Sequence, residues 1–392
     1  MWIILYWKPL ALIIIPMAVE EIKPPIQVII DDFISSTNQE ETNVSKPSES
    51  SILTRLHAGY FRISLSLGGQ ALPWKILSEP KSDSHEVWHL FRMLPFTAFL
   101  LLWWLSLLIQ ISLSLLYILR ALFHFYMAKA EFLHHIGTNY LHAPWISWLL
   151  LLQSTTIIIP SSVSYLSLFW VFTVPIVVLD VKIYGQWFTT EKRFLSTLAN
   201  PTSHMSVIGN LVVAQAAARM GWTESAICMF SLGMVHYLVL FITLYQRLAG
   251  CNQFPSTLRP AFFLFFAAPS IASSAWYSIT GSFHTMSKML FFLSLFLFTS
   301  LASRPTLFKK SMRQANVAWW AYSFPVTSLA LTSALYAKEV KGHVAPGLML
   351  ALSALSVLVF LGLIVLTAIN TDKLLRQNDP VLSFANDRRT RT

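Results

Sequence analysis

The chain has 392 residues, of which 55% are hydrophobic and only 12% charged, and its mean hydropathy is +0.57. A soluble domain carries about 25% charged residues, so the composition excludes a water-soluble globular protein and defines a polytopic membrane protein. A formal charge of +10 would suit nucleic-acid binding in a soluble chain; here the positive-inside rule accounts for it, and no nucleic-acid partner is expected.

The N-terminal stretch Trp2–Val19 is apolar but interrupted by Lys8, Pro9 and Pro16, with no small-residue cleavage site. It stays open between a signal peptide, an additional span and an extension outside the functional protein, because Met17 begins a more ordinary polar leader. On the last reading the extension is residues 1–16. Ser35–Ser51 is a Ser/Thr-rich polar linker whose composition predicts disorder. Asn43-Val44-Ser45 matches a glycosylation sequon, which has no meaning on a cytoplasmic segment. Residues 1–54 are thus expected to be a cytoplasmic N-terminal region, 55–370 the membrane domain, and 371–392 a cytoplasmic tail.

Ten apolar stretches approach the ~20 residues that cross a bilayer. They run from about His57 to Leu77, Phe96 to Leu119, Trp145 to Ile159, Tyr165 to Trp187 and Ser203 to Met220. The remainder are Glu224 to Tyr245, Ala261 to Ile279, Met289 to Ala302, Val317 to Ala337 and Gly347 to Asn370. The connections after even-numbered spans, with the tail, hold sixteen Lys and Arg, among them Arg120, Lys129, Lys182, Lys192 and Lys309. The opposite connections hold seven, including Lys75, Lys81, Arg92, Arg219 and Lys338. Both termini are therefore placed in the cytoplasm, which requires an even number of spans. Asp180 with Lys182, and Glu224, look like structural pairing groups at even-helix ends.

The odd-numbered spans carry most of the proline, glycine, serine and threonine, while several even ones are close to unbroken Leu, Phe and Val. Such residues are tolerated at membrane depth where protein or a water-filled cavity satisfies the backbone. They are also common at tight helix–helix contacts, and composition alone divides about evenly between those readings. Regular recurrence, one polar helix per hairpin, favours an inner set lining a pathway. The pore-lining candidates are Arg62, Ser66, Gly69, Ser154, His204, Ser206, Gly209, Ser273, Ser323 and Thr327, with kinks expected at Pro73, Pro269 and Pro325. The odd spans contain no Asp or Glu. Cation- and proton-coupled transport generally uses embedded acids, whereas hydroxyls, helix ends and an arginine suit anions. Arg62 must be paired or face water, since an intramembrane arginine costs roughly 2.5–3.5 kcal/mol on insertion scales. A snorkelling role near the helix end is the alternative.

No HExxH, GxSxG, phosphate loop or metal-spaced Cys/His cluster occurs, so neither an enzyme nor a cofactor or metal is expected. Cys228 and Cys251 do not form a disulfide framework.

Six ordered stretches carry a resemblance: HAGYFRISLSLGGQALPW from His57, LDVKIYGQW ending at Trp187, ANPTSHMSVIGN from Ala199, HYLVLFITLYQRL from His236, LRPAFFLFFAAPSIASSAW from Leu258 and VAWWAYSFPVTSLA from Val317. Together they make the chain resemble the plant slow-type (S-type) anion channels and, more remotely, bacterial tellurite-resistance/dicarboxylate transporters. The resemblance implies an all-α fold of ten transmembrane helices, as five hairpins around a central pore with the odd helices inside. It also implies a homotrimer with a pore in each subunit, and a plug at the ninth-helix phenylalanine, here Phe324 beside Pro325. The short terminal regions look like the short-tailed subgroup, which implies a partner role in heterotrimers with longer-tailed relatives and casts doubt on autonomous activation by protein kinases. The expected function is a plasma-membrane channel for chloride and nitrate. The alternatives are a secondary transporter of organic anions such as malate, or an electrically silent regulatory subunit.

Overall fold

The computed structural model describes residues 52–78, 96–160, 162–189, 199–249, 256–309, 311–313, 316–340, 342–371 and 374. Each apolar stretch forms one long helix: α1 (Phe61–Ser78), α2 (Phe96–Phe123), α3 (His142–Ser154), α4 (Val163–Thr189), α5 (His204–Arg219), α6 (Thr223–Ala249), α7 (Leu264–Thr280), α8 (Thr285–Ala302), α9 (Ser323–Glu339) and α10 (Val344–Ile369). The expectations for residues 1–51, for the tail beyond 374, and for Cys251, Lys81, Arg92 and Lys192 lie outside the described residues.

Two boundaries differ from expectation for physical reasons. The third helix ends at Ser154 rather than Ile159. The next residues, Thr155-Thr156-Ile157-Ile158-Ile159, are β-branched and lead into Pro160, which disfavours helix in the residue before it. Between α2 and α3 the chain is not a plain loop but two short helices, Phe125–Leu133 and His135–Tyr140.

The α1, α5, α7 and α9 helices are each preceded by 3-10 turns, at Ala58–Tyr60, Pro201–Ser203, Ser256–Phe263 and Val317–Tyr322. Three of these turns have the same local cause. The side chains of His57, Asn200 and Asn316 each accept the backbone N–H two residues on, at Gly59, Thr202 and Ala318, which satisfies an otherwise orphaned donor. Pro73 and Pro269 lie inside α1 and α7. Pro325 does not: it is the third residue of α9, where the missing N–H costs no intrahelical bond. The expected interior kink at Pro325 is instead a change from 3-10 to α geometry at Ser323, one residue before Phe324.

The odd helices form a closed ring, with α1 packed on α3, α3 on α5, α5 on α7, α7 on α9 and α9 on α1, and each even helix packs on the odd helix preceding it. Tight turns make three of these hairpins, and Gly221 and Gly281 end α5 and α7 in the left-handed region (φ 80° and 73°) that glycine adopts without a Cβ penalty. In the 18-residue apolar windows of the even helices only 22–39% is buried, against 72% for the α7 window. Nearly every residue of α3, α5 and α9 is buried. Leucines such as Leu101, Leu108 and Leu358 remain exposed on the outer layer. The alternation in the sequence is thus an inner polar ring and an outer apolar sleeve. Among the described residues, six helices (α2, α4, α6, α7, α8 and α10) are long and apolar enough to cross a membrane.

Arg120 and Asp180, expected at helix ends, are buried, while Lys182 is half-buried. Arg120 is fully buried and its Nη1 donates to Glu131 at 2.5 Å. Lys182 donates to the Phe132 carbonyl and the Thr138 hydroxyl, with its ammonium over the Phe132 ring. Asp180 meets His142, whose Nε2 lies 3.2 Å from its Oδ1.

Candidate functional site

Where the ring of odd helices begins, a narrow cavity is lined by residues of all five odd helices or of the turns that lead into them. Arg62 and Leu65 of α1 line it, with Tyr140 before α3, Met205 of α5, Ala261 and Leu264 at the head of α7, and Trp320, Ala321 and Phe324 leading into α9. Its volume is only about 10 Å3, the room of roughly one water molecule. Arg62 is the one charged group in this lining. Its Nε donates to the Gly59 carbonyl at 2.9 Å, and its guanidinium stacks 4.5 Å from the centre of the Tyr140 ring. These contacts hold the guanidinium beside the cavity, and among the described residues no carboxylate pairs with it.

Phe324 is 3% exposed. Its ring is seated against Gly69, where an added Cβ would lie 2.9 Å from Phe324 Cδ2. Glycine at 69 is therefore a packing requirement: it provides the notch the ring occupies. Substituting Gly69→Ala is expected to cost about 1–3 kcal/mol through overpacking. The cost should largely vanish in a Phe324→Ala background, where the ring is gone. Thermal melts of the two single variants and the double variant measure this, and simple additivity would show that the two residues do not press on one another.

The structure brings Arg62 and Phe324 to one cavity and seats Gly69 against the Phe324 ring; most of the other pore-lining candidates have partners on their own or neighbouring elements. Ser66 donates to the Trp320 carbonyl, Ser154 to Leu151 of its own helix, and Ser273 to Ser287 of α8. Ser206 meets Tyr184 of α4, while Gly209 makes room for Ile176 and His142. His204 sits among Phe265 and Tyr237, with Nδ1 toward the Pro201 carbonyl. Thr327 bonds Gln70 and Ser356, joining α9 to α1 and α10. Ser323 is fully buried with no partner for its hydroxyl among the described residues. Most of these groups hold the ring together, as small polar residues do between membrane helices. Leu65, Met205, Leu264 and Trp320 were missed because apolar residues give no signal of lining a cavity.

At the opposite end of the ring a much larger, half-open chamber of about 480 Å3 is lined by residues from all five odd helices, among them Lys75, Gln153, Arg219, Ser278 and Lys338. The three cations were counted in the sequence only as loop charge.

An inner ring of largely buried helices inside an apolar sleeve defines a helical membrane protein. Residues 55–368 match the family model described as SLAC1, voltage-dependent anion channel, and the chain belongs to that family. It is 60% identical over 365 residues to the S-type anion channel SLAH1 of Arabidopsis thaliana, covering 92% of this chain and 94% of that one. It is 58% identical to the S-type anion channel SLAH4 of the same plant, covering 90% and 95%. Identity to the guard cell S-type anion channel SLAC1 of Arabidopsis thaliana is 38%, over 81% of this chain but only 56% of that longer relative.

Proposed function

We propose that the chain is a plasma-membrane channel subunit that conducts chloride and nitrate through its own pore, and that Phe324 is the gate. All ten helices cross the bilayer, the six apolar ones directly and the four others sheltered by them, with both termini in the cytoplasm. The observation that carries the reading is the cavity in which the Phe324 ring and the Arg62 guanidinium meet. A large apolar ring closes such a path by excluding water, and a lone cation favours anions over cations. The subunit assembles as a homotrimer and in mixed trimers with longer-tailed relatives, through which protein kinases act on it.

Oocyte recordings test the proposal, with the chain expressed alone and with a long-tailed relative, in chloride and then in nitrate. Current whose reversal potential follows the anion gradient, or a partner current altered by co-expression, is the expected result. Saturating flux driven by a pH gradient, with no reversal potential set by an anion, would overturn it.

A further inference from the structure

We propose that the buried triad of Gln70, Thr327 and Ser356 is the latch of the gate: it holds α9 on α1 and α10 in the register that seats the Phe324 ring at Gly69, and so sets how firmly the pore is closed. The inference deepens the gate reading above and rests on it for its effect on current, though not for the seating of the ring.

Helices α1 and α9 meet along a short run of matched contacts. The Ser66 hydroxyl donates to the Trp320 carbonyl at 3.1 Å, the Phe324 ring fills the notch at Gly69, and Thr327 Oγ1 lies 2.8 Å from Gln70 Oε1. The three contacts advance together along both helices, so a polar bond stands on either side of the ring. Thr327 follows Phe324 by three residues, which puts both on one face of α9, and Gln70 directly follows Gly69. A rotation or slide of α9 that lifts the ring from the notch therefore also draws Thr327 away from Gln70.

The third member ties in α10. Ser356 Oγ lies 3.0 Å from Gln70 Oε1 and 2.9 Å from Thr327 Oγ1. Thr327 Oγ1 is also 3.0 Å from the carbonyl of Ser323, where α9 changes from 3-10 to α geometry. All three side chains of the triad are buried. Two hydroxyls have two hydrogens between them, and these four contacts compete for them. The latch thus has an engaged arrangement, with Thr327 donating to Gln70 and Ser356 to Thr327. It has a released one, with Thr327 turned back onto the Ser323 carbonyl and Ser356 donating to Gln70. Gln70 Oε1 keeps a donor in both, so release leaves no buried acceptor bare and costs little.

The test records closed-state anion current in oocytes, normalised to surface protein, beside the fluorine NMR spectrum of the purified full-length chain with fluorophenylalanine at position 324 alone. Thr327→Val and Gln70→Met each separate α9 from α1. They should raise current about threefold to tenfold, the worth of one hydrogen bond between membrane helices, and should shift the fluorine signal. Thr327→Ser keeps the hydroxyl and should retain wild-type current and signal. Thr332→Val is the control, because Thr332 is also buried on α9 but bonds Ser270 of α7. It should lower thermal stability by a similar amount in a melt and leave current and signal unchanged. On a Phe324→Ala background, where no ring remains to be seated, Thr327→Val should add nothing to the current. An unshifted fluorine signal in folded Thr327→Val and Gln70→Met overturns the proposal, as does an equal gain of current in Thr332→Val or a full gain on the Phe324→Ala background. Raised current in Phe324→Ala with wild-type current and signal in the triad variants overturns this inference and leaves the gate standing. A shifted signal with no change of current in any variant, Phe324→Ala included, upholds the seating of the ring by the triad and counts against the gate reading.

Discussion

Phe324→Ala is expected to raise closed-state anion conductance by on the order of a hundredfold, which corresponds to lowering the barrier at the constriction by about 3 kcal/mol. The ring is buried, is seated in the notch at Gly69 and shares a cavity with room for about one water with Arg62 and Trp320. Removing it joins that space to the notch and leaves a positive guanidinium facing a wettable gap. Phe324→Leu keeps an apolar plug of smaller size and should fall between wild type and alanine. The substitution also removes a large buried side chain, with a stability cost of about 3–5 kcal/mol, so current must be normalised to surface protein. Unchanged conductance in surface-expressed Phe324→Ala would sink the gate assignment. Current through Phe324→Ala that disappears on Arg62→Glu would show in addition that the positive guanidinium selects the permeant ion.

How much of this was legible beforehand depended on the kind of signal. Alternating polar and apolar helices left a compositional trace, because lipid-facing sides must be apolar and enclosed ones need not be. That trace became the ring of α1, α3, α5, α7 and α9 inside its sleeve. Composition could not say which way a hydroxyl points. A helix in a five-membered ring shows only a minority of its surface to the axis, so Ser206, Ser273 and Thr327 meet α4, α8 and α10 instead. The cavity at Phe324 is lined by leucine, methionine and tryptophan, which look in sequence like any core residue. Lys75, Arg219 and Lys338 are far apart in the chain, and only the convergence of helix ends puts them on one chamber. The gate was suggested by family resemblance; the notch at Gly69 is visible only in three dimensions, since a glycine on a helix gives no hint of what approaches it.

Glu131→Gln is expected to destabilise the protein by about 3–5 kcal/mol, the cost of leaving a buried charge without its partner. Glu131 bridges three elements. Its Oε2 accepts from Arg120 of α2 at 2.5 Å and from the Tyr117 hydroxyl at 3.4 Å, and its Oε1 accepts the Ala58 backbone N–H at 2.6 Å, at the turn that starts α1. The amide oxygen of glutamine can still accept from Ala58, but it cannot neutralise Arg120, whose buried Nε and Nη2 have no partner among the described residues. Arg120 is fully buried, so its guanidinium has no route to water without rearrangement. The charge, rather than the lost shape, should therefore dominate. Removing it as well, in Arg120→Met/Glu131→Gln, should recover most of the stability, since an apolar replacement of a buried pair is often neutral or better. Thermal unfolding of detergent-solubilised wild type, single variants and double variant forms the cycle. A double variant no more stable than Glu131→Gln would refute the electrostatic account. The effect should also reach the pore: Glu131 fixes Ala58, the next residue's carbonyl holds Arg62, and loosening that turn frees the guanidinium beside Phe324.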